Sequence, residues 1–268
     1  MTTTRTTLDD PPAAPIARPL ALITGGGTGI GAAIASRLIR DGFDVILAGR
    51  RAEVLQGAAA ALGPAATPLV MDVSDLASVR AGVATLTRCD VVINNAGGAI
   101  GVASVENGDP ADWQAMYAAN VLGTLHVTQA VLPLLRASAR ATIVNVSSIA
   151  GEVVYEGGAG YVAAKHATSV ISATLRLELV GSNVRVLDIR PGMVHTEGFS
   201  LTRFHGDQQA ADAVYQGVDR PLVADDVARC VAFAVDLPQH VNIDVMTIKP
   251  LAQAAPHKLH RGPIDWQD

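Results

Sequence analysis

The chain has 268 residues, 49% hydrophobic and 17% charged, a balance that suits one compact domain with a large core and excludes a disordered or fibrous protein. Its formal net charge of −5, with no basic stripe, argues against DNA or RNA as a partner. Cys89 and Cys230 both lie in apolar periodic stretches, so two buried thiols are expected and no disulfide framework.

Residues 1–19 are rich in Thr and Pro and hold no apolar run long enough for a signal-peptide core or a membrane span. They are expected to form a flexible arm, and with the free thiols they point to a soluble, cytoplasmic protein without membrane contact. From Leu20 onward, short aliphatic runs alternate with Ala/Leu-rich stretches at helical period, the signature of a parallel sheet wound by helices. Strands are expected near 20–24, 44–48, 68–71, 90–94, 141–147, 185–189 and 244–248. Helices are expected over about 29–41, 51–62, 75–87, 111–136, 160–180 and 224–236. The fold class is therefore α/β: a seven-stranded, doubly wound, Rossmann-like parallel sheet in a single domain covering 20–250.

Two stretches break the alternation. Residues 195–222 are too long for an ordinary connection and lie where a binding lid is usual. The tail, 251–268, is either an ordered extension over the surface or a contact with a neighbouring subunit.

Three patterns carry chemistry. TGGGTGIG, Thr24 to Gly31, follows the first strand and opens the first helix, so its backbone N–H groups can approach a pyrophosphate at the helix N-terminus. Tyr161 and Lys165 stand one helical turn apart, and the ammonium is expected to favour the phenolate and lower the phenol pKa by roughly one to three units. Ser148, thirteen residues before Tyr161, could hold the oxygen that gains or loses the proton. No cluster of His, Cys, Asp and Glu has metal-ligand spacing, so no metal is implied.

These motifs, with NNAG at Asn94–Gly97, Asn120 in NVLG and Pro191–Gly192, resemble the short-chain dehydrogenase/reductase family in order and spacing. The resemblance implies a catalytic set of Asn120, Ser148, Tyr161 and Lys165. Tyr161 would exchange a proton with the alcohol or carbonyl oxygen, Ser148 would bind that oxygen, and Lys165 would contact the nicotinamide ribose. Asn120 would hold a water in the proton relay; its other reading is an amide that pins backbone in its own helix. The implied cofactor contacts are Gly25, Thr28, Gly29, Ile30, Gly31, Asn95, Ala96, Gly97, Pro191, Gly192 and Thr196. Asp72 and Val73 would hold the adenine edge, although Asp72 also suits a cap for the helix after Ser74. NAD-dependent relatives carry an Asp near the end of the second strand, where this chain has Gly49 followed by Arg50 and Arg51. Guanidinium groups attract a 2′-phosphate, so NADP(H) is favoured with Arg50 as the contact, and NAD(H) is the alternative.

For the substrate, TEGFSLTRFHGD from Thr196 and the later DLPQHVNIDVMTIKPLAQ resemble the 3-hydroxy acid and serine-type dehydrogenase branch. This implies a small β-hydroxy acid or amino alcohol, for which Arg203 or His205 could pair a carboxylate. The expected pocket residues are Gly98, Ile149, Val153, Tyr155, Met193, Phe199, Arg203 and Phe204. Most are apolar, so a bulkier aryl or alicyclic alcohol or ketone is the alternative. A non-catalytic nucleotide-binding sensor is disfavoured by the complete catalytic set, and dehydration or epimerisation by the lack of an extra acid or base. Family members usually form homodimers or homotetramers through the helices corresponding to 111–136 and 160–180, whose outer faces are rich in Ala, Val and Leu.

Overall fold

A computed structural model describes residues 18–267, so residues 1–17 of the expected arm lie outside the described residues. In chain order the elements are β1 (Leu20–Thr24), α1 (Gly29–Arg40), β2 (Asp44–Gly49), α2 (Ala52–Leu62), β3 (Ala66–Val70), α3 (Leu76–Val83) and β4 (Val91–Asn94). There follow α4 (Pro110–Tyr117), a π turn (Ala118–Leu122), α5 (Gly123–Arg136), β5 (Thr142–Val146), a 3-10 turn (Ile149–Gly151), α6 (Ala159–Glu178) and β6 (Arg185–Pro191). The chain ends with β7 (Val194–His195), α7 (Phe199–Arg203), α8 (Gln208–Ala213), β8 (Leu222–Val223), α9 (Ala224–Asp236), β9 (Val245–Ile248), β10 (Gln253–Ala255) and β11 (Lys258–Leu259).

Seven strands form one parallel sheet in the order β3-β2-β1-β4-β5-β6-β9. Central strands such as β5, TIVNV, are buried on both faces and read as continuous runs rather than alternating ones. β3 is an edge strand, which is why it tolerates Thr67, Pro68 and solvent exposure. One core layer packs Ile34 and Leu38 of α1, Leu55 of α2 and Val227 and Val231 of α9 against the sheet. The other packs Val79 of α3 and Val127, Val131 and Leu135 of α5 on the opposite face. Strand order reverses between β1 and β4, and that crevice at the carboxyl ends of the strands is where such sheets bind ligands.

Three expectations need correction. The helix expected over 75–87 stops at Val83, because the Thr85 hydroxyl and N–H both bond to the Gly82 carbonyl, at 2.7 and 3.2 Å, and turn the chain. The helix expected over 111–136 is interrupted at Asn120, where the Asn120 side chain takes the Met116 carbonyl at 2.8 Å and the backbone widens into a π turn. Cys89 is buried as expected, but Cys230 is only partly so. The continuous stretch 110–136 has the length and hydropathy of a membrane span, yet its α5 portion supplies Val127, Val131 and Leu135 to the core, as the core helix of a globular protein does.

The expected lid, 195–222, carries α7 and α8. The tail packs on this segment of its own chain: Gly262 N–H donates to Gly217 O at 2.7 Å, Arg261 donates to Gln216 O, and Asp219 accepts from Ile264 N and Trp266 Nε1 at 2.9 and 2.7 Å.

Candidate active site

The crevice is built first from the glycine loop. Gly25 adopts φ +64° and Gly29 φ +53°, conformations that favour glycine. A Cβ on Gly31 would stand 2.2 Å from Gly25 O, so α1 can approach the loop only because position 31 lacks one. Thr28 makes no side-chain cap on α1, and the first turn carries no acidic residue, which leaves the helix N-terminus open to an anion. Thr24, which the motif reading did not assign a role, anchors the facing segment: its Oγ1 accepts from Asn95 N and Ala96 N, both at 3.0 Å. Asn95 Nδ2 returns a bond to Thr24 O at 3.0 Å. Thr196, at the start of the lid, lies over the loop, within 3.8 Å of where a Gly29 Cβ would stand.

At the end of β2, Arg50 is exposed and makes no hydrogen bond or ion pair with the described residues. Asp72 stands nearby. Burial would raise its carboxyl, but bonds from the Ser74 hydroxyl and N–H at 2.7 and 2.9 Å, together with Arg50, outweigh it and hold the pKa below its ordinary value. Asp72 therefore closes a local turn rather than capping a helix. The cap of α3 is Asp75, whose Oδ1 accepts from Ala77 N at 2.9 Å. Val73 packs on α5, where a Cβ on Gly123 would collide with it at 2.7 Å.

Four elements bring the catalytic candidates together. Ser148 leaves β5 in extended conformation and caps the 3-10 turn by accepting from Ala150 N at 3.1 Å; its hydroxyl faces the Tyr161 phenol. Tyr161 and Lys165 lie one turn apart on the buried face of α6. Lys165 Nζ donates to Val146 O at 3.0 Å and stands 5.7 Å from the Tyr161 ring centre. The expected lowering of the phenol pKa by Lys165 is not what the geometry yields. Burial pushes Tyr161 above its ordinary value, with the Ser148 hydrogen bond and, from further off, Arg203 opposing. Burial also brings Lys165 down to about 8, while Asp188 acts to raise it.

Asn120 is a clamp. Its Nδ2 donates to Gly98 O at 3.0 Å and Met116 O at 2.8 Å, and its Oδ1 accepts from Gly98 N at 3.2 Å. Its main-chain carbonyl accepts from Thr124 Oγ1 and Thr168 Oγ1 at 2.8 and 3.2 Å. Gly97 is required beside it, since a Cβ there would lie 2.2 Å from Asn120 Oδ1.

Around Tyr161 the structure gathers Ala99, Ile100, Trp113, Met116, Tyr155 and Phe199. Phe199 meets the Tyr161 ring edge-on at 5.8 Å. Trp113 and Met116 were missed by motif reading; the signal was Gly160, where a Cβ would strike Met116 Cε at 2.5 Å. Arg203 reaches in from α7. It donates to Tyr155 Oη at 3.4 Å and Gly157 O at 3.3 Å, and its buried Nε has no partner among the described residues. Ile149 is buried in the turn after Ser148, and Gly98 is held by Asn120. Val153, Met193 and Phe204 are not part of this packed cluster. His205 is exposed with φ +52°, and His195 packs on Tyr215 in the lid, with ring centres 4.4 Å apart. After Pro191, Gly192 N donates to Ile248 O of β9 at 2.7 Å, and Met193 N donates to Gln253 Oε1 of the tail at 2.7 Å.

Comparison with known proteins bears on the family and the fold. The family profile described as short chain dehydrogenase matches residues 19–203. An uncharacterized oxidoreductase of Mycobacterium tuberculosis is 48% identical, over 91% of this chain and 96% of its own. A serine 3-dehydrogenase of Agrobacterium fabrum is 38% identical, over 87% of this chain and 94% of its own. The closed form of a serine dehydrogenase complexed with NADP+ superimposes with a TM-score of 0.85 at 36% identity, covering 90% of this chain and 99% of that one.

Proposed function

Because the chain belongs to the short-chain dehydrogenase family, we propose that it is an NADP(H)-dependent dehydrogenase or reductase whose substrate is a small alcohol or carbonyl compound bearing an acidic group. The residues fit the nucleotide. The uncapped start of α1 and the open glycine loop suit a pyrophosphate, and Arg50, unpaired among the described residues and beside Gly49 where a carboxylate would repel, suits a 2′-phosphate. The NADP+ complex of the related serine dehydrogenase supports the same cofactor. When bound, the nicotinamide supplies or accepts the hydride.

The chain's own residues handle the oxygen and the proton. The Ser148 hydroxyl holds the substrate oxygen, and Tyr161 Oη donates the proton to a carbonyl oxygen or removes it from an alcohol. Lys165 uses one of its three N–H donors on Val146 O and has two left for the nucleotide ribose. Asn120 keeps the Gly97–Gly98 segment against the π turn, so the floor of the site stays fixed during turnover. Ile100, Trp113, Met116 and Phe199 exclude water from the reacting oxygen.

The observation that carries the substrate class is Arg203, a guanidinium beside Tyr155 whose buried Nε has no partner among the described residues. A carboxylate or similar anion would satisfy it. The serine 3-dehydrogenase relative, whose substrate has a carboxylate, supports the same class. The apolar walls favour a second reading, a bulkier aryl or alicyclic alcohol or ketone that leaves Arg203 to the lid.

We infer further that copies assemble as dimers or tetramers through the outer faces of α5 and α6, where Leu125, Val170 and Leu177 are exposed. The two free cysteines support a reducing compartment such as the cytoplasm.

The deciding experiment follows absorbance of the reduced nicotinamide while the protein meets small hydroxy acids, amino alcohols and aryl alcohols, with NADP⁺ and NAD⁺ in parallel. NADP⁺ reduction with small hydroxy acids is expected. Turnover with NAD⁺ and bulky neutral alcohols alone would replace this reading with the second.

A further inference from the structure

Behind the Tyr161–Lys165 pair runs a line of charge that the reaction as described does not use. Lys165 Nζ bonds Val146 O, and the next residue, Ser147, donates its hydroxyl to Asp188 Oδ1. Asp188 is fully buried in β6, in register with Asn145 of β5. By strand alternation it shares its face with Val186, toward the layer of α5 and α6. Its Oδ2 accepts from Arg190 Nε and Nη2 at 2.9 and 2.8 Å. Arg190 Nη1 in turn lies 3.5 Å from Glu152, which is half exposed. Charge thus alternates from Lys165 through Asp188 and Arg190 to Glu152 at the surface.

We propose that Asp188 is a positioning residue for the dehydrogenase reaction: it is the buried counter-charge that keeps Lys165 cationic behind Tyr161, with Arg190 moderating its strength. The inference rests on the dehydrogenase reading above. A purely architectural role would not need a carboxylate, since Asn145, directly opposite, ties β5 to α6 with a neutral amide bonded to Ser172 Oγ at 2.8 Å. A buried charge is costly unless it is paired; Arg190 pairs Asp188 at 2.8 Å, and Lys165 is the second, buried cation whose charge Asp188 favours.

No other element packed on α6 supplies a buried carboxylate among the described residues. β5, the π turn and the 3-10 turn carry no ionisable residue, and the turn ends at Glu152. α4 brings Asp112, beside Gly101, and the exposed Tyr117. The remaining charged residue of β6, Arg185, spends its guanidinium on Ala234, Val235, Leu237 and Val241 carbonyls at the end of α9. On α6 itself, His166 Nδ1 is bonded to Val162 O at 2.9 Å. Tyr155 and Arg203 face Tyr161 from the lid side. Asp188 accordingly opposes the desolvation of Lys165.

The test is an NMR titration of the Lys165 side chain in nucleotide-free protein, alongside pH profiles of kcat and KM. Asp188→Asn keeps the acceptor for Ser147 and removes the charge. It is expected to move the Lys165 titration, and the high-pH limb of alcohol oxidation, down by about one unit or more. The kcat at neutral pH should fall about tenfold while substrate KM holds. Arg190→Gln exposes the Asp188 charge and is expected to move both readouts up, which keeps the proposal testable if Asp188→Asn does not fold. A Lys165 titration unmoved in folded Asp188→Asn, or moved the same way by both substitutions, overturns it. Wild-type protein inactive with both nucleotides across the substrate panel would sink the dehydrogenase reading instead, because the nucleotide-free titration tests Asp188 on its own.

Discussion

The Lys165 ammonium stands 5.7 Å from the centre of the Tyr161 ring while it is hydrogen bonded to Val146 O at 3.0 Å. In this arrangement the phenol is a neutral acid, because burial raises its pKa more than its neighbours lower it. Carbonyl reduction, which consumes the phenolic proton, is therefore expected to fall as pH rises, and alcohol oxidation, which needs the phenolate, to rise with pH. Lys165, near 8, keeps its charge below that pH and loses it above, so the gain in oxidation should level off on the alkaline side. Tyr161→Phe should lower kcat by about 10²–10⁴-fold, the usual worth of a general acid–base group, with nucleotide affinity preserved. Steady-state rates and fluorescence titration of the nucleotide check both, and unchanged turnover would reject the assignment.

Arg50 is exposed and free of partners among the described residues, so its charge is available to a ligand at little cost in stability. Replacing it by Glu is expected to weaken NADP⁺ by roughly ten- to a hundredfold, the scale of a lost hydrogen bond to a charged group, and to leave NAD⁺ nearly as before. The ratio of the two KM values decides. Equal loss for both nucleotides would mean that Arg50 does not read the phosphate.

Arg203 joins α7 to Tyr155 and Gly157 with two arms of one guanidinium. Arg203→Met should reduce kcat/KM for an acidic substrate by roughly ten- to a hundredfold and change a neutral alcohol far less. Arg203→Lys should not restore the loss, since a point charge cannot reproduce the planar fork. Equal effects on acidic and neutral substrates would assign Arg203 to lid structure alone.

Gly31 and Gly57 are both helical glycines with opposite surroundings. A Cβ at position 31 would meet Gly25 O at 2.2 Å and Asn95 Nδ2 at 2.7 Å, whereas nothing lies within 4 Å at position 57. Gly31→Ala is expected to cost about 1–3 kcal/mol by overpacking and to abolish nucleotide binding. Gly57→Ala should stabilise by roughly 0.5–1 kcal/mol through helix propensity. Thermal melts of the two variants, which should shift in opposite directions, test the packing account.

The sheet, its winding helices and the nucleotide crevice were legible in the sequence because each is a local pattern: aliphatic runs of strand length, helical periodicity, and glycines placed between a strand and a helix. Tyr161, Lys165 and Ser148 were legible for the same reason, since one helical turn and one strand end fix their neighbours. What residue spacing alone did not reveal depends on atoms far apart in the chain. For Asn120 a backbone-pinning amide was one of two readings, and the carbonyls it takes, Met116 O and Gly98 O, are set by the loop packed against it. The direction of the Tyr161 pKa follows from burial beneath Phe199 and Trp113, which outweighs the charge four residues away. Arg203 reaches Tyr155, and His205 two residues later is exposed, because α7 turns one inward and ends before the other. Asp188, an unremarked residue in a strand, gains its meaning only from the helix laid across it. Sequence determines which local structures and reactive groups exist; burial and distance, which only the tertiary structure supplies, decide their charge and their task.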